Sequence, residues 1–150
     1  IGQSTPEATH LIKVACEAVT GKRKHVAIFG TDYDTPDGTC IRDYIHVEDL
    51  AAAHLRALDH LRSGGASTTL NCGYGRGFSV REVLDAVDRV SGTTLVRREE
   101  TRRAGDPPRL VARADAIRQV LGWAPRHDDL DHIVRTALAW ERQIVGSNRH

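Results

Sequence analysis

Apolar residues recur at helical spacing in several stretches of the chain. Leu11, Val14, Ala15, Ala18 and Val19 share one face of a segment that Pro6 opens and Gly21 stops. A second helix is expected from about Glu48 to Leu61, with Leu50, Ala51, His54, Leu55 and Leu58 on one stripe and Gly64-Gly65 at its end. Ser79-Val80-Arg81-Glu82 has the form of a capping box, in which a serine hydroxyl and a glutamate three residues on satisfy each other's backbone amides. It opens a helix that should bury Val80, Val83, Leu84 and Val87 and stop near Gly92. A shorter helix is expected from Asp115 to Leu121, closed by Gly122. The last starts near Asp128 and carries Leu130, Ile133, Val134, Ala137 and Leu138 on one face.

Short apolar runs between these segments read as strands over His25–Phe29, Ile41–Val47, Thr68–Cys72 and Thr94–Arg98. Asp34-Thr35-Pro36-Asp37-Gly38 is a turn, since proline presets φ and glycine accepts φ > 0. Alternating strands and helices mean α/β. A full doubly wound sheet needs more regularly spaced strand–helix units than this chain holds. It therefore reads as a small α/β lobe plus segments that would complete a sheet supplied from elsewhere.

Composition narrows the function classes. Hydrophobic residues at 40% and charged residues at 27% are ordinary for a globular domain. The net charge of +1 argues against a general nucleic-acid binder, which gathers a basic excess on one face. No run approaches the roughly 18 apolar residues of a membrane span, and the first residues lack the pattern of a signal peptide. Cys16, Cys40 and Cys72 are odd in number and outside any C-x-x-C, so neither a disulfide framework nor a structural zinc site is expected, and a reducing cytoplasmic setting fits. The 8 histidines form no H-E-x-x-H and no tight cluster along the sequence, so no metal is expected. The chain contains no methionine and begins at Ile1, which leads us to expect a piece of a longer protein.

Gly73-Tyr74-Gly75-Arg76-Gly77 follows an expected strand and precedes a helix, with Glu99 and Glu100 after the next strand. A dinucleotide fingerprint needs G-x-G-x-x-G, each glycine having its own task, and here the third is displaced by one residue. We read the segment as a structural strand-to-helix connection.

The stretch from Ala27 to Ala51 is more specific: A-I-F-G-T-D-Y-D-T-P-D-G-T-C-I-R-D-Y-I-H-V-E-D-L-A. It resembles the extended short-chain dehydrogenase/reductase family, and within it the UDP-glucose 4-epimerases. The likeness continues through Leu70-Asn71-Cys72-Gly73, Ser79 to Val83, Arg102 to Pro108 and Leu121-Gly122-Trp123, so it covers essentially all of residues 1–150. It implies an α/β fold, the C-terminal substrate-binding lobe of such an enzyme, with a Rossmann half that binds NAD lying N-terminal to it. It implies interconversion of UDP-glucose and UDP-galactose through a 4-keto intermediate, in a parent that is a cytoplasmic homodimer.

The resemblance also implies residue roles. Ala27 and Phe29 would line the uridine pocket, Arg42 and Arg103 would contact the diphosphate, and Asp106 would lie near the ribose. His10-Leu11 stand where the family has an Asn-Leu pair near the diphosphate, so Leu11 keeps the pattern and His10 departs from it. Leu110 stands where the family often has a tyrosine. Arginine suits a diphosphate because its planar fork of donors meets clustered oxygens bidentately. Asp43, His46 and Asp49 are expected to serve as caps and hydrogen bonds where a strand enters a helix, and Trp123 and Trp140 to pack.

The family's catalytic pair is Tyr-x-x-x-Lys. The three tyrosines here, Tyr33, Tyr44 and Tyr74, are followed four residues later by Asp37, Glu48 and Phe78. Catalytic residues and NAD contacts are therefore expected outside this chain, which alone should have no turnover. Alternatives are another nucleotide-sugar epimerase or dehydratase, a non-catalytic UDP-binding module, or a non-functional remnant.

Overall fold

The computed structural model describes residues 2–5 and 7–147, so the helix-opening role expected of Pro6 lies outside the described residues. The elements run α1 (Leu11–Val19), β1 (Val26–Phe29), β2 (Ile41–Arg42), α2 (Val47–Arg62), β3 (Phe78–Ser79), α3 (Val80–Ser91), β4 (Arg97–Glu100), β5 (Arg109–Leu110), α4 (Asp115–Leu121) and α5 (Leu130–Ser147). The α/β class expected from the alternation is what the chain adopts.

One core gathers α1, α3 and α5 against β1. Ala15, Val26, Ile28, Val83, Leu84, Val87 and Val134 are buried there, and each large aliphatic side chain contributes about 1.5–3 kcal/mol when fully buried. Both halves of the capping box are present at the start of α3, and Gly92 ends it at φ 72°. Glu141 of α5 is fully buried and pins that helix to α1 through Lys13, with Lys22 Nζ at 2.6 Å from its other oxygen. A second cluster joins Ala53 of α2, Tyr74, Ile117 of α4, Trp123 and Ile133.

Two small sheets carry the loops. β1 pairs in parallel with β4, Phe29 opposite Glu100. β2 lies between β3, antiparallel, and β5, parallel, with Arg42 opposite Leu110. Several expected strands differ. The strand expected over Thr94–Arg98 lies at Arg97–Glu100, because the Leu95 amide donates to Asp88 Oδ1 at 2.9 Å instead of joining a ladder. The strand expected over Ile41–Val47 ends at Arg42; the His46 amide donates to the Tyr74 hydroxyl at 3.0 Å instead of to a ladder, and Val47 already begins α2. Residues 68–72 pair with no strand among the described residues. On α2, Leu55, Leu58 and Leu61 are 64%, 43% and 53% exposed, so its apolar stripe faces solvent.

Candidate functional site

The register of β1 and β4 positions the site. Gly30 N donates to Glu100 O at 2.9 Å, so the chain leaving β4 folds back over the end of β1. Arg102 and Arg103 then sit on successive aromatic rings. Arg102 lies 4.2 Å above the ring centre of Tyr33, and Arg103 lies 3.8 Å above that of Phe29. Gly105, at φ 81°, turns the backbone, with Asp106 N donating to Arg103 O at 3.3 Å. The chain next enters β5 beside β2. That step brings the Asp106 carboxylate to 3.3 Å from the Arg42 guanidinium.

All six residues singled out by the sequence, Leu11, Ala27, Phe29, Arg42, Arg103 and Asp106, line one cleft of about 2050 Å³. That volume exceeds the roughly 300–1,000 Å³ of an ordinary small-ligand pocket. Leu11, Ala27 and Phe29 give the cleft apolar surface, and the two arginines reach it from β2 (Arg42) and from the loop after β4 (Arg103). This arrangement suits a ligand with a flat aromatic part and an anionic part. His10 lines the same cleft, and its Nδ1 lies 3.0 Å from Gln3 Oε1. Tyr44, which the sequence reading passed over, also lines it. Burial pushes its phenol up to about 12, outweighing the nearby Arg42 charge. The phenol therefore stays protonated at neutral pH.

The glycine-rich turn is filled from inside. Asp43 accepts from Tyr74 N at 3.1 Å, Gly75 N at 3.0 Å and Ala112 N at 3.3 Å. A Cβ on Gly73 would lie 2.6 Å from the Asp43 carboxylate and from Ala112 Cβ. A carboxylate of the chain itself thus occupies the backbone donors that would cradle a pyrophosphate. The turn does not fit a dinucleotide.

Asp49 is 2% exposed and accepts from the Tyr74 hydroxyl at 2.7 Å and from the amides of Arg126 and His127 at 2.9 Å each. Burial alone would raise its pKa, but these donors hold it below the usual aspartate value. His46 caps α2, its Nδ1 accepting from Glu48 N at 3.1 Å. The structural roles expected for Asp43, His46 and Asp49 match these bonds.

The histidines do cluster, contrary to the expectation from their spacing. His46 and His127 ring centres are 4.7 Å apart, His127 and His132 5.0 Å, and Glu48 Oε2 lies 3.1 Å from His127 Nε2. No sequence signal joins residues 46 and 127. Their meeting depends on Asp49 and Tyr74 drawing the loop before α5 onto the start of α2.

The chain is similar to known proteins along its length. Residues 1–73 match the NAD dependent epimerase/dehydratase family. The UDP-glucose 4-epimerase of Azospirillum brasilense is 66% identical over 146 residues, 97% of this chain and 42% of that protein. Among solved structures, the UDP-Glc/GlcNAc 4-epimerase of Campylobacter jejuni is 52% identical with a TM-score of 0.82, covering 95% of this chain and 43% of that one. The UDP-glucose 4-epimerase of Bifidobacterium longum in complex with NAD+ and UDP is 34% identical with a TM-score of 0.81, covering 89% and 39%. The chain thus spans well under half the length of the relatives it matches. No helix among the described residues is long and apolar enough to cross a membrane. By the match over residues 1–73 and the relatives along its whole length, the chain belongs to the NAD dependent epimerase/dehydratase family.

Proposed function

We propose that this chain supplies the nucleotide-binding lobe of a UDP-glucose 4-epimerase. The observation that carries the reading is the convergence of Arg42 and Arg103, from motifs far apart in sequence, on one cleft floored by Phe29 and Ala27. Phe29 and Ala27 offer apolar surface for a uracil ring, and the two guanidinium groups offer donors for a diphosphate. Each charge-assisted hydrogen bond contributes about 1.5–3 kcal/mol. Asp106, which holds Arg42 in the free chain, would exchange that partner for a ribose hydroxyl.

The work of these residues is binding and orientation. NAD, which supplies the redox chemistry of such enzymes, has no cradle in the glycine-rich turn that Asp43 fills. We assign the cofactor, and the Tyr-x-x-x-Lys pair, to residues outside this chain. A second reading, an N-acetylhexosamine epimerase, draws support from the name of the Campylobacter jejuni relative and from Leu110. That residue is 62% exposed and stands opposite Arg42, where the family often has a bulkier tyrosine.

The test is a coupled assay of UDP-galactose conversion with excess NAD. The 150-residue chain is expected to give no rate above a blank. Conversion by the chain alone would contradict the assignment of the catalytic residues to other segments.

A further inference from the structure

His46 and Glu48 line the same cleft as Arg42 and Arg103, but neither they nor His127 has a part in the nucleotide proposal. Each can present one ligand atom, and these atoms lie within 4.8 Å of one another. We propose that the three form a binding site for a divalent transition-metal ion of the zinc type, at the junction of α2 with the loop before α5.

Two of the ligands are already spaced for an ion. His127 Nε2 and Glu48 Oε2 are 3.1 Å apart. Across a tetrahedral ion with bonds of about 2.0–2.1 Å, an N···O separation of about 3.3–3.4 Å is required. The ion would take the place between them, and any proton held on His127 Nε2 would leave to solvent. Glu48 is 70% exposed at its side chain and His127 is 27% exposed, so the ion has a path in and the carboxylate is free to adjust. The third ligand is His46. Its Nε2 is engaged by Thr136 Oγ1 at 2.9 Å and its Nδ1 accepts from the Glu48 amide at 3.1 Å, so ligation through Nδ1 would replace that cap bond.

The outer contacts also match a metal site. A ligating histidine is oriented by a hydrogen bond from its other ring nitrogen. His127 Nδ1 lies 3.0 Å from His132 Nε2, and Thr136 does the same for His46. The backbone at His127 is fixed by its amide donating to Asp49 Oδ2 at 2.9 Å, so this segment is already ordered before an ion binds. Two imidazoles and a carboxylate favour zinc, nickel or copper over magnesium or calcium, which prefer all-oxygen shells.

Titration of the full chain with Zn2+ alone at pH 7.5, followed by calorimetry, tests this. One ion per chain is expected, with Co2+ giving the intense visible bands of a four-coordinate site. His127→Gln and Glu48→Gln, both at accessible positions, should each weaken binding by about tenfold or more, and His132→Ala by about tenfold. His54→Gln, an exposed histidine elsewhere, should leave it unchanged. No saturable binding up to millimolar zinc would overturn the proposal, as would binding that His127→Gln and Glu48→Gln leave unaltered.

Discussion

The Arg103 guanidinium lies 3.8 Å over the ring centre of Phe29, so the loop after β4 rests on the end of β1 and one side of the cleft is set by a cation–aromatic contact. On the nucleotide proposal the ring would also give a nucleobase apolar surface. Phe29→Leu keeps most of the volume and removes the π-face. It should weaken UDP binding about five- to tenfold, or about 1–1.4 kcal/mol, with little loss of secondary structure. Calorimetry alongside circular dichroism checks both.

Asp43 ties three segments together through the amides of Tyr74, Gly75 and Ala112. Asp43→Asn turns one acceptor into a donor facing N–H groups. The expected loss is about 1–3 kcal/mol, a fall in Tm of about 2–4 °C per kcal/mol for a chain of this size. Gly73→Ala should destabilise as well, because its Cβ would meet Asp43 and Ala112 at 2.6 Å. Scanning calorimetry of both variants reads the effect.

Asp49 gives a pH dependence with a definite sign. Its folded-state pKa is held below the ordinary value of about 3.9. The carboxylate's contribution is therefore fully present above that unfolded value and is lost as pH falls through the folded one. Asp49→Asn should be clearly less stable than the parent in urea at pH 7. The gap should narrow as the pH is lowered below about 4. A constant gap across that range would contradict the role given to its charge.

Glu141 is fully buried between Lys13 and Lys22. Lys13→Met leaves it with Lys22 alone, and the expected cost is about 2–3 kcal/mol, below the roughly 3–5 of a wholly unpaired buried charge. Adding Glu141→Leu should restore most of the stability, since an apolar pair of similar volume needs no desolvation of ions. Urea unfolding of the two single variants and the double variant completes the cycle.

Local chemistry made much of this fold legible. The capping box at Ser79 and Glu82, the glycine stops at Gly92 and Gly122, and the apolar faces of α1, α3 and α5 are short-range signals, and each appears where the sequence put it. The strands were harder. β3 and β5 have two residues each, too few for any alternation to register. Their positions depend on β2, far away in sequence. The exposed Leu55, Leu58 and Leu61 show the converse case, in which periodicity correctly gives a helix and says nothing of what covers it.

The candidate residues came from a different kind of signal. All six came from motif resemblance, and the structure adds that they line one cleft. Tyr44 lies within the same R-D-Y-I-H-V motif and could have been included. The histidine cluster had no signal at all, because its members meet only after the loop before α5 docks on Asp49.

The central claim is that the cleft binds the nucleotide part of a UDP-sugar, and titration of the 150-residue chain with UDP by calorimetry tests it most directly. Saturable one-to-one binding is expected, weakened about 10- to 100-fold by Arg42→Ala and by Arg103→Ala in proteins that keep the parent circular dichroism spectrum. A folded parent chain that takes up no UDP, or that binds it equally well without either arginine, would contradict the account.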